Sequence, residues 1–507
     1  MISLRHIAPC AVMALTGFPL AAATVDATWD YPTDVPVVAS SYTATGNTID
    51  FTLNAEPDAN QLMVINNTGI DFIQGTFSNL AQGQEVTLTY DGITYNLVAN
   101  YYGGTGNDLV LVWKETRVFA SGANLAGQLG NGTTGSSNVF VPCNAEAGSA
   151  LYGKTVVQVA AGTQHSVALC SDGTIATWGY NAYGALGDGT TVDRDTPVRV
   201  DNSSGSALYG KLPILVSASQ GFSSFTLALC SDGSLCAWGN NGNGELGDGT
   251  SETRILPTAV NVAPGSALEG KAVVGIASGN GFNLALCSDG TVAGWGSNLY
   301  GKIGVSLGGG GALPVAVNTS SSSALFGKTV VAISAGENHS LALCSDGTVA
   351  AWGLNGGRLG DGTINPYSDF PVQVMNSSGS ALFNRTVSTI NAGKKHSLVV
   401  CSDGTVATWG YGGGGTLGNG STIESAIPVL VSTTNGVSFL YDQLVEGASS
   451  NAHNLASCAD GTLAAWGPDD SGKTGVGSTG DILFPTGVIS PHFSHPAALE
   501  SVQRRCR

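Results

Sequence analysis

The chain has 507 residues, 72 of them glycine, and only 11% of its residues are charged. This composition favours short strands joined by tight turns over long surface helices, which need many Lys and Glu residues. The formal net charge of −17 lacks the basic footprint that nucleic acid or an anionic membrane requires, so we exclude both as the main partner.

The first residues are typical of a secretory signal peptide. Arg5 and His6 precede an apolar run, and Ala21–Ala23 offers a small-residue cleavage site. The run is too short to span a membrane, so we expect no membrane insertion. Residues 1–23 are therefore predicted to be removed, and the mature protein is expected to be secreted, periplasmic or at the cell surface.

Residues 24–108 are predicted to form a small β-rich N-terminal module. Thr48–Ala55, Leu62–Asn67 and Glu85–Ala99 alternate between apolar and polar residues, which is typical of half-buried strands. The strand Thr94–Ala99 is expected to serve a second purpose, by closing the domain that follows. Gly103–Leu111 matches a calcium-binding nonapeptide, but such turns bind calcium in stacked copies, so a plain turn is the favoured interpretation.

From residue 109 to residue 489 the chain repeats one pattern, seen clearly as "LALCSDGTVAAWG" in Leu341–Gly353. Six good copies occur, with tryptophans spaced by 60 residues once and then by 57. So regular a period indicates a repeat architecture. The repeated positions are Cys170, Cys230, Cys287, Cys344, Cys401 and Cys458, and Trp178, Trp238, Trp295, Trp352, Trp409 and Trp466.

Each unit contains about four short strands and no helical period, which predicts one blade of a β-propeller. A degenerate seventh hairpin, Leu109–Gly122, precedes the six copies. The last unit, Trp466–Pro485, is expected to lack its final strand, which Thr94–Ala99 would supply. The predicted fold is therefore all-β: a seven-bladed propeller over residues 109–489, closed by its two ends and followed by a tail of residues 490–507.

The combination H-S-x-A-L-x-x-D-G-x-V-x-x-W-G-x-N-x-x-G-x-L-G resembles the regulator of chromosome condensation repeat, which builds a seven-bladed propeller. The resemblance covers residues 109–489. The "SALYGK" insert and the "CSDGT" turn are similar to the form of the repeat found in secreted bacterial proteins. The founding nuclear member of the family is a guanine nucleotide exchange factor, so the resemblance implies that activity as an alternative function.

The repeated cysteines are predicted to be small buried core residues. If Asp346 and Gly347 form the turn, Cys344 pairs with Val349, and Cys344 and Trp352 fall on opposite faces of one hairpin. Six equal copies around a ring do not converge on one catalytic or metal site, so neither is expected.

Two cysteines fall outside this register. Cys236 is predicted to lie on the bulky face, away from Cys230, so that these two do not bond. An approach of Cys236 to the cysteine of a neighbouring unit and a pairing of Cys143 with Cys506 are left open.

Histidine precedes the repeat cysteine by five residues in four units, at His165, His339, His396 and His453. In two units the same position is phenylalanine, at Phe225 and Phe282. Phenylalanine cannot replace a metal ligand but can replace a packed aromatic ring, so these side chains are interpreted as packing groups. No metal or other cofactor is expected.

The blade cores repeat while the loops between them differ, so function is expected in the loops. We predict a non-enzymatic, extracytoplasmic scaffold that binds an unidentified protein partner. Alternatives are guanine nucleotide exchange and a structural cell-surface or matrix component. Loop tyrosines are common anchors in interfaces, and the candidates are Tyr180, Tyr183, Tyr300, Tyr367 and Tyr411.

Overall fold

The computed structural model describes residues 23–31, 33–57, 61–114, 116–308 and 310–488. All regular elements within these residues are β-strands, apart from two short 3-10 turns at Leu299–Gly301 and Gly413–Gly415. The prediction of an all-β fold is confirmed. The predicted signal peptide, except for Ala23, and the tail of residues 490–507 lie outside the described residues.

The N-terminal module contains two sheets that enclose a separate apolar core. One sheet pairs β1 with β3 in parallel, and the other has the order β2-β4-β7-β6-β5. Trp29, Leu62 and Leu97 are buried between them. The strands are β1 (Thr24–Trp29), β2 (Val37–Ala39), β3 (Thr48–Leu53), β4 (Gln61–Asn67), β5 (Glu85–Tyr90), β6 (Ile93–Gly103) and β7 (Asp108–Trp113).

Two sequence predictions about this module are wrong. Thr94–Ala99 lies within β6, an interior strand of the five-stranded sheet between β7 and β5, and therefore does not close the propeller. Leu109–Trp113 lies within β7 and pairs with β4 and β6, so the propeller does not begin at residue 109. Both segments are apolar enough to fit either domain, and the pairing partners decide between them.

Among the described residues the propeller shows six four-stranded sheets, in each of which the strands follow chain order, and one two-stranded sheet. The two-stranded sheet is β8 (Phe119–Gly122) and β9 (Ser137–Pro142). The first three blades are β10 (Val156–Ala161), β11 (His165–Cys170), β12 (Ile175–Gly179) and β13 (Arg194–Arg199); β14 (Pro213–Ala218), β15 (Phe225–Cys230), β16 (Leu235–Gly239) and β17 (Arg254–Ala259); and β18 (Val273–Ser278), β19 (Phe282–Cys287), β20 (Val292–Gly296) and β21 (Gly311–Ala316).

The other three blades are β22 (Val330–Ala335), β23 (His339–Cys344), β24 (Val349–Leu354) and β25 (Tyr367–Gln373); β26 (Val387–Ala392), β27 (His396–Cys401), β28 (Val406–Gly410) and β29 (Ser425–Leu430); and β30 (Val445–Ser450), β31 (Asn454–Cys458), β32 (Leu463–Gly467) and β33 (Ile482–Gly487). The last unit is therefore complete, because β33 supplies its fourth strand. The prediction that this strand is missing is wrong.

The sheets form a closed ring. The loop after the third strand of each unit contacts the fourth strand of the next unit, as in the bond from Gly420 N to Leu483 O at 3.1 Å. The last unit makes the same bond to the first sheet, from Gly477 N to Asn138 O at 2.9 Å, and the first sheet makes it to the second through Gly132. Closure in this way leaves few exposed sheet edges.

The register of the repeated hairpin differs by one residue from the predicted one. Cys344 N–H donates to Thr348 O, and Gly347 N–H, at φ +79°, donates to Cys344 O. This turn, with a left-handed glycine, pairs Leu343 with Val349 and Ser340 with Trp352. Cys344 and Trp352 therefore lie on the same face of the hairpin, and the prediction of opposite faces is wrong.

Neighbouring blades pack through complementary faces. One face of the hairpin β23–β24 carries Leu341, Leu343 and Val349, and it packs on Cys401 and Trp409 of the following blade. Bulky aliphatic groups thus meet a face on which small residues surround one indole ring. The apolar core is divided among the junctions between blades and is not gathered in one centre.

Candidate protein-binding faces

The repeated tryptophans join consecutive blades. Each indole is buried, and the Nε1–H of Trp352 donates to Lys302 O of the preceding blade at 3.0 Å. Trp178, Trp238, Trp295 and Trp409 make the same bond. In the two-stranded sheet Ser121 takes the tryptophan position, and its hydroxyl donates to Lys473 O at 3.1 Å. These residues build the ring and are not available to a ligand.

The histidines are packing groups, as the sequence predicts. His339 is fully buried, and its Nε2 lies 2.9 Å from Ser397 Oγ of the next blade. The Ser397 hydroxyl already donates to Arg358 O, so His339 Nε2–H is the donor. Its Nδ1 has no partner, and burial lowers the pKa of His339 to about 3. A proton at Nδ1 would be a buried charge without an acceptor.

The eight cysteines among the described residues are all buried and unpaired. Burial raises the pKa of Cys170 to about 12 and that of Cys401 to about 11, so both thiols are poor nucleophiles. Cys506, the suggested partner of Cys143, lies beyond the described part of the chain. In residues 23–488 as described, no group of three or more His, Cys, Asp or Glu side chains could hold a metal ion.

Cys230 and Cys236 are brought together, contrary to the prediction. Cys236 pairs with Ala228, so it shares a face with Cys230 two residues further along the strand. The interaction between the two neighbouring thiols lowers the pKa of Cys230 and raises that of Cys236, whose Sγ donates to Ala207 O at 3.5 Å. The error has the same cause as for Cys344, because the assumed turn was one residue too short.

We predict that Cys344 does not react with a thiol reagent in the native protein. The side chain is 2% exposed, and burial raises the pKa of its thiol. Labelling by iodoacetamide at pH 8, followed by peptide mass spectrometry, should detect modification of Cys344 only in denaturant. Rapid modification of the folded protein would contradict the packing described above.

One end of the propeller, the loop face, carries the turns between first and second strands and the loops between third and fourth strands. The two sets are joined by bonds such as Tyr180 N to Gln164 O at 2.9 Å. All five predicted tyrosines lie at this face, on four different blades. Three of them are exposed, with fractions of 42% for Tyr183, 40% for Tyr367 and 43% for Tyr411.

The other two tyrosines are partly buried. Tyr180 packs against Tyr183 with ring centroids 6.3 Å apart, and Tyr300 lies at φ +68° within a 3-10 turn. The five side chains are therefore spread around the rim of the loop face and do not form one cluster.

Sequence reasoning missed three charged side chains of the loop face: Glu245, Lys302 and Arg358, which occupy the same repeat position in consecutive blades. Lys302 is 2% exposed, its Nζ donates to Asn280 O at 2.6 Å, and burial lowers its pKa to about 8. The residue before the "LG" pair differs from unit to unit, and this variation was the available signal. The backbone carbonyl of each of these residues accepts the hydrogen bond from the tryptophan of the next blade.

The opposite end, the insert face, carries the "SALYGK" inserts and the "CSDGT" turns. In five units the insert basic residue forms an ion pair with the turn aspartate, as in Lys328–Asp346 at 3.2 Å. The insert leucine is buried, and the following residue points into solvent. That residue is aromatic in five units, with exposed fractions of 61% for Tyr152, 62% for Tyr209, 61% for Phe326, 46% for Phe383 and 42% for Tyr441.

The insert aromatics were not singled out in the sequence, although their spacing follows the repeat. The sequence alone does not show which residue of the insert faces solvent, because that depends on the packing of the insert leucine. Phe326 also borders a surface cleft that is lined by Thr291, Leu325 and Lys328. The molecule therefore presents two faces with exposed aromatic groups, one variable and one repeated.

The ring of four-stranded blades, joined by tryptophans and exposing loops at both ends, defines a β-propeller built from sequence repeats. The model of the RCC1-like domain matches residues 117–503. The chain belongs to this family, the regulator of chromosome condensation repeat propellers, and the predicted resemblance is confirmed.

Curated relatives are similar over most of the propeller. The ultraviolet-B receptor UVR8 of Arabidopsis thaliana is 29% identical over 340 residues, which cover 66% of this chain and 70% of that protein. Human E3 ubiquitin-protein ligase HERC2 is 32% identical over 356 residues, 70% of this chain but only 7% of that much longer protein.

Solved structures share the fold. Human WBSCR16 has a TM-score of 0.62 at 22% identity, covering 74% of this chain and 94% of that one. Prp20p of Saccharomyces cerevisiae, studied with its binding to Gsp1p and histones, has a TM-score of 0.61 at 20% identity and covers 76% of this chain and 94% of that one. A membrane-crossing helix of sufficient length and apolar character is not found among the described residues.

Proposed function

We propose that the mature chain, from about Thr24, is an extracytoplasmic, non-enzymatic protein-binding scaffold. The family is consistent with a protein partner, since Prp20p is described with Gsp1p and histones as binding proteins. The apolar run and small-residue site in residues 1–23 support a location outside the cytoplasm. Among the described residues, burial lowers the pKa of the histidines and raises that of the repeat cysteines other than Cys230, so these groups are poor catalysts.

The observation that carries the proposal is the set of five aromatic side chains on the insert face. Aromatic side chains supply large contact area at small entropic cost, and exposed ones are enriched among interface anchors. Three of the insert aromatics exceed 60% exposure, whereas no loop-face tyrosine exceeds 43% and a single loop-face phenylalanine, Phe222, is exposed at 74% among the described residues. The insert face is thus the one on which exposed aromatic side chains recur from unit to unit. The insert face is therefore the proposed contact surface for the partner. The loop face with its tyrosines is the alternative contact surface.

We predict that a triple variant of the insert face, Tyr209→Ser, Phe326→Ser and Phe383→Ser, binds the partner at least about tenfold more weakly, the effect of losing more than about 1.4 kcal/mol of anchor contacts. The partner is first captured from culture medium and envelope by the mature protein and identified by mass spectrometry. Affinity is then measured by biolayer interferometry with the purified partner.

The matched control is a loop-face triple variant: Tyr183→Ser, Tyr367→Ser and Tyr411→Ser. It should bind as the wild type does. If this variant alone loses binding, the contact lies on the loop face. If the wild type captures nothing that saturates, the scaffold proposal fails.

Guanine nucleotide exchange is the alternative implied by the family. The likeness to Prp20p is below 25% identity and so concerns the fold. An exchange assay on small GTPases that shows stimulation would replace the scaffold proposal.

A further inference from the structure

The chain contains several asparagines that are followed by glycine. This pair is especially prone to spontaneous deamidation, because glycine has no side chain to hinder attack by its own amide nitrogen on the asparagine side chain. All of the pairs lie within the described residues, so one dipeptide is seen in seven different surroundings. They are Asn131–Gly132, Asn241–Gly242, Asn243–Gly244, Asn280–Gly281, Asn355–Gly356, Asn419–Gly420 and Asn435–Gly436.

In five of these pairs a hydrogen bond holds the glycine amide. Gly132 N–H donates to Asp195 O at 2.8 Å, and Gly420 N–H donates to Leu483 O at 3.1 Å, both across a junction between units. The amides of Gly242, Gly244 and Gly356 donate to Asn240 Oδ1, Asn241 O and Asn365 O. An amide proton held by an acceptor is harder to remove, so the nitrogen of these five glycines is a weaker nucleophile.

The pair Asn280–Gly281 is protected by packing. Gly281 is buried, and the side chain of Asn280 lies so close to Gly221 of the preceding blade that a Cβ there would stand 2.3 Å from the carboxamide carbon. This contact restricts rotation of the carboxamide. The buried glycine nitrogen also has little access to the base that must remove its proton.

The pair Asn435–Gly436 has neither kind of protection. Both residues are exposed in the turn that leads into the last insert, Ser438–Gln443. Within the described part of the chain, neither the Gly436 amide nor the Asn435 carboxamide has a hydrogen-bond partner. The nucleophile and the group that it would attack are therefore both free and in contact with water.

The turn before the last insert differs from its equivalents by one residue. In the other five inserts the serine amide donates to the carbonyl three residues earlier, as Ser206 N–H does to Ser203 O at 2.9 Å. Ser438 N–H donates to the carbonyl four residues earlier, to Thr434 O at 2.9 Å. The Asn–Gly pair lies inside this longer turn, which explains why its amide takes no part in the bonds of the repeat.

We propose that Asn435 is a site of spontaneous modification, at which water converts the asparagine to aspartate and isoaspartate. The Gly436 nitrogen gives its proton to a base and attacks Cγ of Asn435. The Cγ–Nδ2 bond breaks, and Nδ2 takes up a proton and leaves as ammonia. One water molecule then opens the succinimide ring at either of its two carbonyl carbons. A carboxylate replaces an amide, so each event adds one negative charge to the insert face.

The new charge arises where the insert face has no cation to neutralise it. In five units a basic insert residue pairs with the turn aspartate. The last unit has Gln443 at this position, and Asp460 has no ion pair among the described residues. The exposed Phe439 and Tyr441 belong to the same insert, so the reaction makes one end of the proposed contact surface more acidic. That consequence rests on the proposed function, whereas the reaction does not.

The test is storage of the full chain at pH 8, with deamidation at each pair followed by peptide mass spectrometry. Asn435 should be modified at least about tenfold faster than Asn131 and Asn419, whose glycine amides react only when the structure opens locally. In urea all seven pairs should react at similar rates, because the folded surroundings that distinguish them are lost.

Ion-exchange chromatography provides a second measurement. The stored wild type should acquire an acidic species that Asn435→Gln does not acquire, because the longer glutamine side chain forms the ring far more slowly. The matched control is Asn202→Gln, which changes an exposed asparagine before another insert that is followed by serine. It should acquire the acidic species as the wild type does.

Two results would overturn the proposal. One is modification of Asn435 in the folded protein no faster than that of Asn131 and Asn419. The other is an equal yield of the acidic species from Asn435→Gln and the wild type. Neither result depends on a binding partner, so the failure of this proposal is distinct from a failure of the scaffold proposal.

Discussion

Replacing Gly360 by alanine is expected to destabilise the propeller by about 3 kcal/mol. Gly360 lies at φ +67°, and a Cβ at this position would stand 2.6 Å from Nε1 of Trp409 in the next blade. The left-handed conformation costs an alanine about 1 kcal/mol, and the overlap with a buried indole adds about 2 kcal/mol. The measurement is the free energy of unfolding in urea, followed by tryptophan fluorescence.

The matched control is Gly153→Ala. Gly153 has nearly the same backbone angle, φ +66°, but a Cβ there would meet no atom within 4 Å. This variant should lose only the conformational part, about 1 kcal/mol. Equal losses of unfolding free energy at the two sites would show that the glycine of the "LG" pair is needed for its backbone angle alone. The space that it leaves for the indole of the neighbouring tryptophan would then contribute nothing.

The second large expected effect is loss of stability in mild acid. Burial lowers the pKa of His165 and His396 to about 4, and that of His339 to about 3, from an ordinary value of 6.5. Between pH 6.5 and the lowered pKa the unfolded chain binds a proton that the folded chain does not. The free energy of unfolding therefore falls as pH falls through this window and is unaffected by these groups above pH 7.

At pH 4.5 each of these three histidines should lower the free energy of unfolding by about 2 to 3 kcal/mol relative to pH 7.5, since one pKa unit corresponds to about 1.4 kcal/mol. The aspartates of the turns, whose pKa values are lowered, lose their contribution only at still lower pH. Urea unfolding at pH 7.5, 5.5 and 4.5 therefore separates the pH range in which the histidines lower stability from the more acidic range in which the aspartates do.

The control for the acid effect is His339→Phe. Phe282 already occupies the position of His339 in the preceding blade, and Ser340 occupies the position of Ser397 in the blade that follows it, so the exchange gives two residues that the protein already combines at one junction. Its stability should depend on pH with a slope smaller by one proton. An unchanged slope would mean that His339 does not carry the acid sensitivity.

The repeat and its period were sufficient to predict the blades. The spacing of Trp178 to Trp466, the glycine turns and the alternation within each hairpin predict a ring of short sheets, because only one supersecondary unit fits a period of 57 residues with four strands. The packing role of the histidines was also predictable, because phenylalanine replaces histidine at Phe225 and Phe282.

Pairing and register were decided by the tertiary structure. A turn longer by one residue exchanges the two faces of a strand, so Cys344 and Trp352 share a face and Cys230 meets Cys236. The apolar segments β6 and β7 suit a blade as well as a sandwich, and only their partners assign them to the N-terminal module.

The sequence by itself determined the propeller, its repeated core residues and its membership of the repeat family, since these depend on local patterns that recur along the chain. The tertiary structure alone showed which ends of the blades carry exposed aromatic rings and how the last unit meets the first sheet. Exposure and closure depend on contacts between units far apart in the chain, as between Gly477 and Asn138. A pattern within one unit contains no information about what covers it.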